Sequence, residues 1–149
     1  MVEEKKEKEI TLTGRQLSEL LGLEKAKFSS LNQRLNELQA IISETKGCVE
    51  ALKELGKQKN AKALVPLGSG VLVDATIESA EDVKTTLPGN VIIKQNREQA
   101  SKSLEKSLEE ASRQLEELQK EQQQTIANSN NLANIIQAAQ QQVQKQKQQ

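Results

Sequence analysis

The sequence predicts an α+β fold that is mainly α: an antiparallel two-helix coiled coil with two central β-hairpins that assemble between subunits into an intersubunit β-barrel or a shared sheet. Three observations carry this. Two long ladders of apolar residues advance in alternating steps of four and three, the repeat of a coiled-coil seam. The stretch between them switches to alternation by two and is punctuated by Gly and Pro. Finally, the 149 residues are only 35% hydrophobic, with Phe28 the sole aromatic and a mean hydropathy of −0.66. A chain that builds its own thick core is nearer ~45–50% apolar, so burial here must follow thin seams and borrow surface from neighbours.

Taken in order, residues 1–12 form a mixed-charge leader, and the first coiled-coil helix is expected over 13–58. Its seam is Leu17, Leu21, Phe28, Leu31, Leu35, Leu38, Ile42, Val49 and Leu52, interrupted at Glu24 and Thr45. Thr13 is placed as N-cap with Gln16 three residues on, a capping-box spacing, and Leu12 and Leu17 occupy hydrophobic-staple positions. Gly47 inside the helix costs about 1 kcal/mol relative to Ala, so the helix needs a partner, and Gly56 is a C-terminal stop signal.

Residues 60–95 read as two hairpins. Val71, Val73, Ala75 and Ile77 alternate with Leu72, Asp74, Thr76 and Glu78, the signature of a half-buried strand. Gly68 and Gly70 supply positive φ at the first turn, and Pro88-Gly89 is a type II turn pair at the second. A hairpin alone is marginal and leaves strand edges open to pairing. Assembly through these strands is expected to bury Leu64, Val65, Val71, Val73, Ile77, Val83, Leu87, Val91 and Ile93.

The second helix is expected over 96–146, capped by Asn96, with a frayed tail at 147–149. Its seam steps through Leu104, Leu108, Ala111, Leu115, Leu118, Gln122, Thr125, Ser129, Leu132, Ile136, Ala139 and Val143. At ~1.5 Å per residue the helices measure roughly 65 and 75 Å, close enough to pair. Antiparallel layers whose residue numbers sum to 153 put Leu35 beside Leu118 and Glu24 beside Ser129; a one-heptad shift to 160 is equally periodic, and 153 is preferred because polar interruptions then coincide.

Composition excludes several functions. Lys+Arg and Asp+Glu both number 21 and there is no His, so no net field draws nucleic acid or anionic membrane. Stacking platforms for bases are missing. A Cys/His zinc site and a His-based triad are excluded, and Cys48 is read as a small packing residue. No enzyme activity and no cofactor are expected. Without an apolar leader or an 18-residue apolar run, the chain reads as cytoplasmic, with no membrane partner.

Leu64-Val65-Pro66-Leu67-Gly68-Ser69-Gly70-Val71-Leu72 between two heptad arms, followed by Pro88-Gly89-Asn90-Val91-Ile92-Ile93-Lys94 leading to Asn96, resembles the alpha class of prefoldin subunits over nearly the whole chain. The resemblance implies an ATP-independent chaperone: two alpha and four beta-class subunits joined through a β-barrel platform, coiled-coil tips holding non-native client proteins, and transfer to a group II chaperonin. The tips would then be the start of the first helix and the end of the second. There Ile10, Leu12, Leu17, Leu20, Leu21, Ile135, Ile136 and Val143 give more apolar side chains than two seams need, and they are the candidate client-binding residues. A structural coiled-coil adaptor, or a prefoldin-like scaffold subunit of another complex, stands as the alternative; four strands favour the chaperone.

Overall fold

A computed structural model describes residues 12–147. The order is α1 (Gly14–Lys57), β1 (Ala61–Gly68), β2 (Val71–Ile77), β3 (Asp82–Leu87), β4 (Val91–Asn96) and α2 (Arg97–Lys147). The chain divides into two compact units: one holds the residues up to Leu35 and from Glu117 onward, the other Asn36–Glu116.

In the first unit the start of α1 packs on the end of α2. The capping box forms as the spacing dictates: the Thr13 backbone N–H donates to Gln16 Oε1 at 2.9 Å, and the Gln16 N–H donates to Thr13 Oγ1 at 3.3 Å. These satisfy N–H groups that the first helical turn otherwise leaves open. Leu17, Leu31 and Leu35 are buried, and Thr125, at 1% exposure, is the most enclosed side chain among the described residues. Leu21, Glu24, Leu118, Gln122, Ser129, Leu132 and Ile136 are half-buried. The ladders therefore meet along this length. Lys27 Nζ lies 2.9 Å from Glu121 across the pair, and Leu17 and Ile136 line one groove. The ion pair fits layers summing to 153, as does Gln122 Nε2 donating to Asn32 Oδ1 at 3.4 Å.

Three seam expectations fail here. Phe28 is 36% exposed, because a ring is too long for a two-helix seam facing a threonine and its edge protrudes. Ala139 and Val143 are exposed. At sum 153, Ala139 faces Gly14, which has no side chain, and Val143 lies past the start of α1.

In the second unit the seam continues through buried Ile42, Val49 and Ala100, with Leu38, Thr45, Leu52, Leu104, Leu108, Ala111 and Leu115 half-buried. The Thr45 hydroxyl is satisfied by donating to the Ile41 carbonyl at 2.8 Å. Lys53 pairs with Glu105 at 2.8 Å across the helices. Cys48 is exposed, not packed: it sits one step off the seam, on the outer side of Val49.

Gly56 does not stop α1, which runs on to Lys57, and Asn60 takes the positive φ of 54° instead. The bare Cα of Gly56 is covered by the Arg97 guanidinium, whose Nη1 donates to the Leu52 carbonyl at 3.2 Å. That carbonyl lies in the last two turns of α1, so the guanidinium bond is added to the helix's own hydrogen bonding. The Arg97 N–H donates to the Glu81 carbonyl at 2.7 Å, so one residue ties the end of α1 to the connection between the hairpins.

The strands form two separate two-stranded antiparallel sheets. In β1–β2, Ala61, Ala63 and Val65 pair with Ile77, Ala75 and Val73, and a register irregularity falls between Pro66 and Gly68. Gly68, Ser69 and Gly70 all have positive φ, 107°, 50° and 81°. In β3–β4, Val83, Thr85 and Leu87 pair with Gln95, Ile93 and Val91. Gly89 at φ 84° matches the ~80° of the third position of a type II turn. Asn96 ends β4 and caps α2, its Oδ1 accepting from the Glu98 N–H at 2.8 Å.

Candidate functional site

Two surfaces carry apolar side chains that the other described residues leave uncovered. The first lies in the unit formed by the helix ends. Among the described residues, Gly14 at the start of α1 puts no side chain on the facing stretch of α2. The resulting groove has a volume of about 760 Å³ and is lined by Gly14, Leu17, Ser18, Ile136, Ala139, Gln140, Val143 and Gln144. Leu17 is its buried floor, Ile136 is half-buried, and Val143 is 52% exposed on its rim. An added Cβ at Gly14 would meet nothing within 4 Å, so the floor is wide there. A smaller hollow of about 250 Å³ in the same unit is lined by Lys25, Phe28, Ile126, Ser129 and Asn130.

Chemically, the groove offers apolar surface whose burial is worth ~25 cal/mol per Å², with amide side chains at the edge. Its one hydroxyl, Ser18, has no titratable side chain beside it among the lining residues. Of the residues singled out from sequence, Leu17, Ile136 and Val143 come together in it. Leu12, Leu20 and Ile135 are exposed outside its lining, and Leu21 is half-buried in the seam. Ile10 lies outside the described residues. Sequence reading missed Gly14, Ala139 and Gln140 as groove residues. Their signal was the register itself, since the 153 layering sets the smallest residue against an alanine.

Below the groove the seam is polar. Glu24 Oε2 and Thr125 Oγ1 are buried without a hydrogen-bond partner, and Gln122 reaches Asn32 at 3.4 Å. The Lys27 ammonium is held above its ordinary 10.5 by its hydrogen bond to Glu121, then by that carboxylate's charge, with Glu24 adding less.

The second surface is the hairpin tips. Leu64, Val65, Leu67, Val71, Leu72 and Val73 are all exposed in the first hairpin. Their pairing places Val65 and Val73 on one face and Leu64 and Leu72 on the other, so this tip is apolar on both sides. In the second hairpin one face carries Leu87 and Val91, exposed, above half-buried Val83 and Ile93. The opposite face is mostly polar, with Lys94 bound to Asp82 at 2.9 Å. Ile77 is half-buried at the base of the first hairpin.

Helix, two hairpins and helix in this order are matched by the profile of the family described as prefoldin subunit, over residues 25–142. The chain belongs to the prefoldin family. Among prefoldin relatives, it is 29% identical over 99 residues to the alpha subunit of Picrophilus torridus, covering 66% of this chain and 70% of that one. With the alpha subunit of Nitrosopumilus maritimus it shares 26% over 95 residues, 64% of this chain and 66% of the other. Both likenesses are to the alpha class, in agreement with the two hairpins. The fold is also that of filamentous prefoldin from Methanocaldococcus jannaschii, seen by cryo-EM, with a TM-score of 0.65, 21% identity, and coverage of 78% of this chain and 97% of that one. No helix among the described residues is long and apolar enough to cross a membrane.

Proposed function

We propose that this prefoldin subunit is part of an ATP-independent holdase, which captures non-native proteins at the helix ends and hands them to a group II chaperonin in the cytoplasm. The observation that carries the reading is the open apolar groove between the start of α1 and the end of α2. A groove with an apolar floor and no catalytic group suits transient burial of apolar segments that folded proteins hide. The exposed hairpin tips support assembly with beta-class subunits, two alpha to four beta, since strands with apolar faces and free edges gain by pairing.

Deleting residues 1–20 and 133–149 tests the client site. The truncated assembly should keep its subunit stoichiometry by native mass spectrometry yet no longer suppress aggregation of a denatured client. Unchanged suppression with the stoichiometry intact would place the client site elsewhere. A Val73→Asp change should instead disperse the assembly, because it sets a charge on the apolar face at Val65.

A scaffold role is the second reading, favoured by one observation: the first hairpin is apolar on both faces at its tip, which gives it two surfaces for pairing with further copies. Mixing the chain with a beta-class subunit and weighing the product separates the two. A mixed hexamer supports the holdase; long homopolymers that exclude the partner support the scaffold.

A further inference from the structure

Behind the apolar faces that carry Val65 and Val73, and Leu87 and Val91, each hairpin has a second face. From tip to base, that of the first hairpin pairs Pro66 with Leu72, Leu64 with Asp74 and Lys62 with Thr76. That of the second pairs Thr86 with Ile92, Lys84 with Lys94 and Asp82 with Asn96. Both faces are banded, apolar at the tip and charged behind it, but the charges run in opposite order. The first carries a carboxylate and then an ammonium; the second carries two ammoniums and then a carboxylate. Lys84 and Lys94 stand directly opposite each other, a like-charge pairing that weakens a sheet. Asp82 Oδ2 relieves one of them, lying 2.9 Å from Lys94. Among the described residues, Lys62, Asp74 and Lys84 are exposed and belong to no ion pair. Leu64, Leu72 and Ile92 are each more than half exposed.

From this we infer that the second face of the first hairpin docks on the second face of the second hairpin in another copy of this chain, with the tips pointing the same way. Stacked sheets keep their strands within about 30° of each other, so the bands meet in layers. Leu64 and Leu72 cover Ile92, Asp74 reaches Lys84, and Lys62 reaches Asp82. The other combinations mismatch. Reversing one hairpin sets Leu72 against Asp82 and Lys62 against Ile92. Stacking either face on its own copy, in either direction, opposes the middle band to itself, Asp74 to Asp74 or the lysine pair to the lysine pair, and like charges across an interface are rejected. The chain does not close its own two faces together: both stay exposed, and the connection between the hairpins is held by the Arg97 N–H at the Glu81 carbonyl. Because each copy carries one face of each kind, two copies can exchange them reciprocally or pass them on head to tail. The contact leaves Val65, Val73, Leu87 and Val91 free for beta-class subunits and is independent of the holdase reading.

Sedimentation of the full chain alone tests this. The unaltered chain should self-associate, at least about tenfold more weakly when salt rises from ~0.01 to ~1 M and the screening length falls from about 30 to about 3 Å. Asp74→Lys and Lys84→Asp, both at exposed positions, should each weaken association at low salt by at least about tenfold, while the mixed assembly with a beta-class subunit keeps its stoichiometry. Combining the two changes in one chain should restore self-association. Mixing the two singly changed chains should restore it as well, since each then meets an opposite charge in the other. Restoration in the double variant but not on mixing would mean that one chain folds its two faces together, which overturns a second copy as the occupant. Association indifferent to salt and to both changes would put the contact on the apolar faces, and a chain that stays monomeric at low salt has no such contact; either result overturns the inference. Loss of the beta-class stoichiometry with Asp74→Lys would assign the face to that subunit and overturn it too. Suppression of client aggregation is read in none of these measurements, so the holdase reading stands whichever way they fall.

Discussion

Gly22, Gly47 and Gly56 all lie in α1, yet the same change to alanine is expected to act in opposite directions. At Gly22 and Gly47 an added Cβ meets nothing within 4 Å, and neither residue has a positive φ. Alanine then brings only its better helix propensity, about 0.8–1.0 kcal/mol per site, part of it through a less disordered unfolded chain. The two sites fall in different compact units and share no neighbour, so the double variant should gain about 2 kcal/mol. At Gly56 the added Cβ runs into the Arg97 guanidinium. Moving it away breaks the bond from Nη1 to the Leu52 carbonyl. A hydrogen bond from a charged group is worth about 1.5–3 kcal/mol, against about 1 kcal/mol of propensity gained, which leaves a net loss of about 1 kcal/mol. Urea unfolding followed by helical ellipticity, at one fixed protein concentration because assembly shifts apparent stability, reads each change as a midpoint shift at constant slope. An Arg97→Ala background supplies the internal control: there Gly56→Ala should turn neutral or stabilising. Should Gly56→Ala stabilise the unaltered protein as much as Gly47→Ala does, the Arg97 clasp contributes nothing. A loss at Gly22 or Gly47 would mean that a neighbouring subunit closes over that side of α1.

Thr125→Val removes a buried hydroxyl without a partner and should stabilise the groove-bearing unit by about 1 kcal/mol, with slower amide exchange around residues 122–129. Thr13→Ala breaks the capping box; a loss of about 1 kcal/mol and faster exchange at the Gln16 and Leu17 amides are expected. Lys27 is raised above its ordinary 10.5 by Glu121, so the stabilisation it brings is complete below 10.5 and disappears as pH climbs through the raised value. Glu121→Gln should flatten that alkaline decline in an unfolding series from about pH 9 to about pH 12.

What could be read from sequence was what is local or periodic. The Thr13–Gln16 box spans three residues, and the two ladders repeat a fixed step, so both survive without knowledge of what faces them. Phe28 was misplaced because a ladder marks which residues face the partner helix and not how much of a ring the seam can cover; the ring borders a hollow with Ile126, Ser129 and Asn130. Gly56 looked like a stop because glycine commonly ends helices, whereas its reason here is Arg97, distant in sequence and brought close only by the fold. Ser69 carried no glycine to announce its positive φ; it is held left-handed between Gly68 and Gly70. In the groove, Leu17, Ile136, Ala139 and Val143 were visible as members of the ladders, Ala139 only as a seam residue. Gln140 was not visible, since a glutamine off the ladder becomes part of a groove only once Gly14 stands opposite.

The two helices leave the hairpins by different joints. Asn96 is at once the last residue of β4 and the cap of α2, with no linker between, while α1 reaches β1 through residues 58–60, with Asn60 in a left-handed turn. A strand that runs straight into a helix transmits torque; a three-residue elbow absorbs it. The second hairpin and α2 therefore share one continuous joint, and the Arg97 clasp fastens the end of α1 to the same place, so the elbow at residues 58–60 is where the first hairpin has freedom that the second lacks.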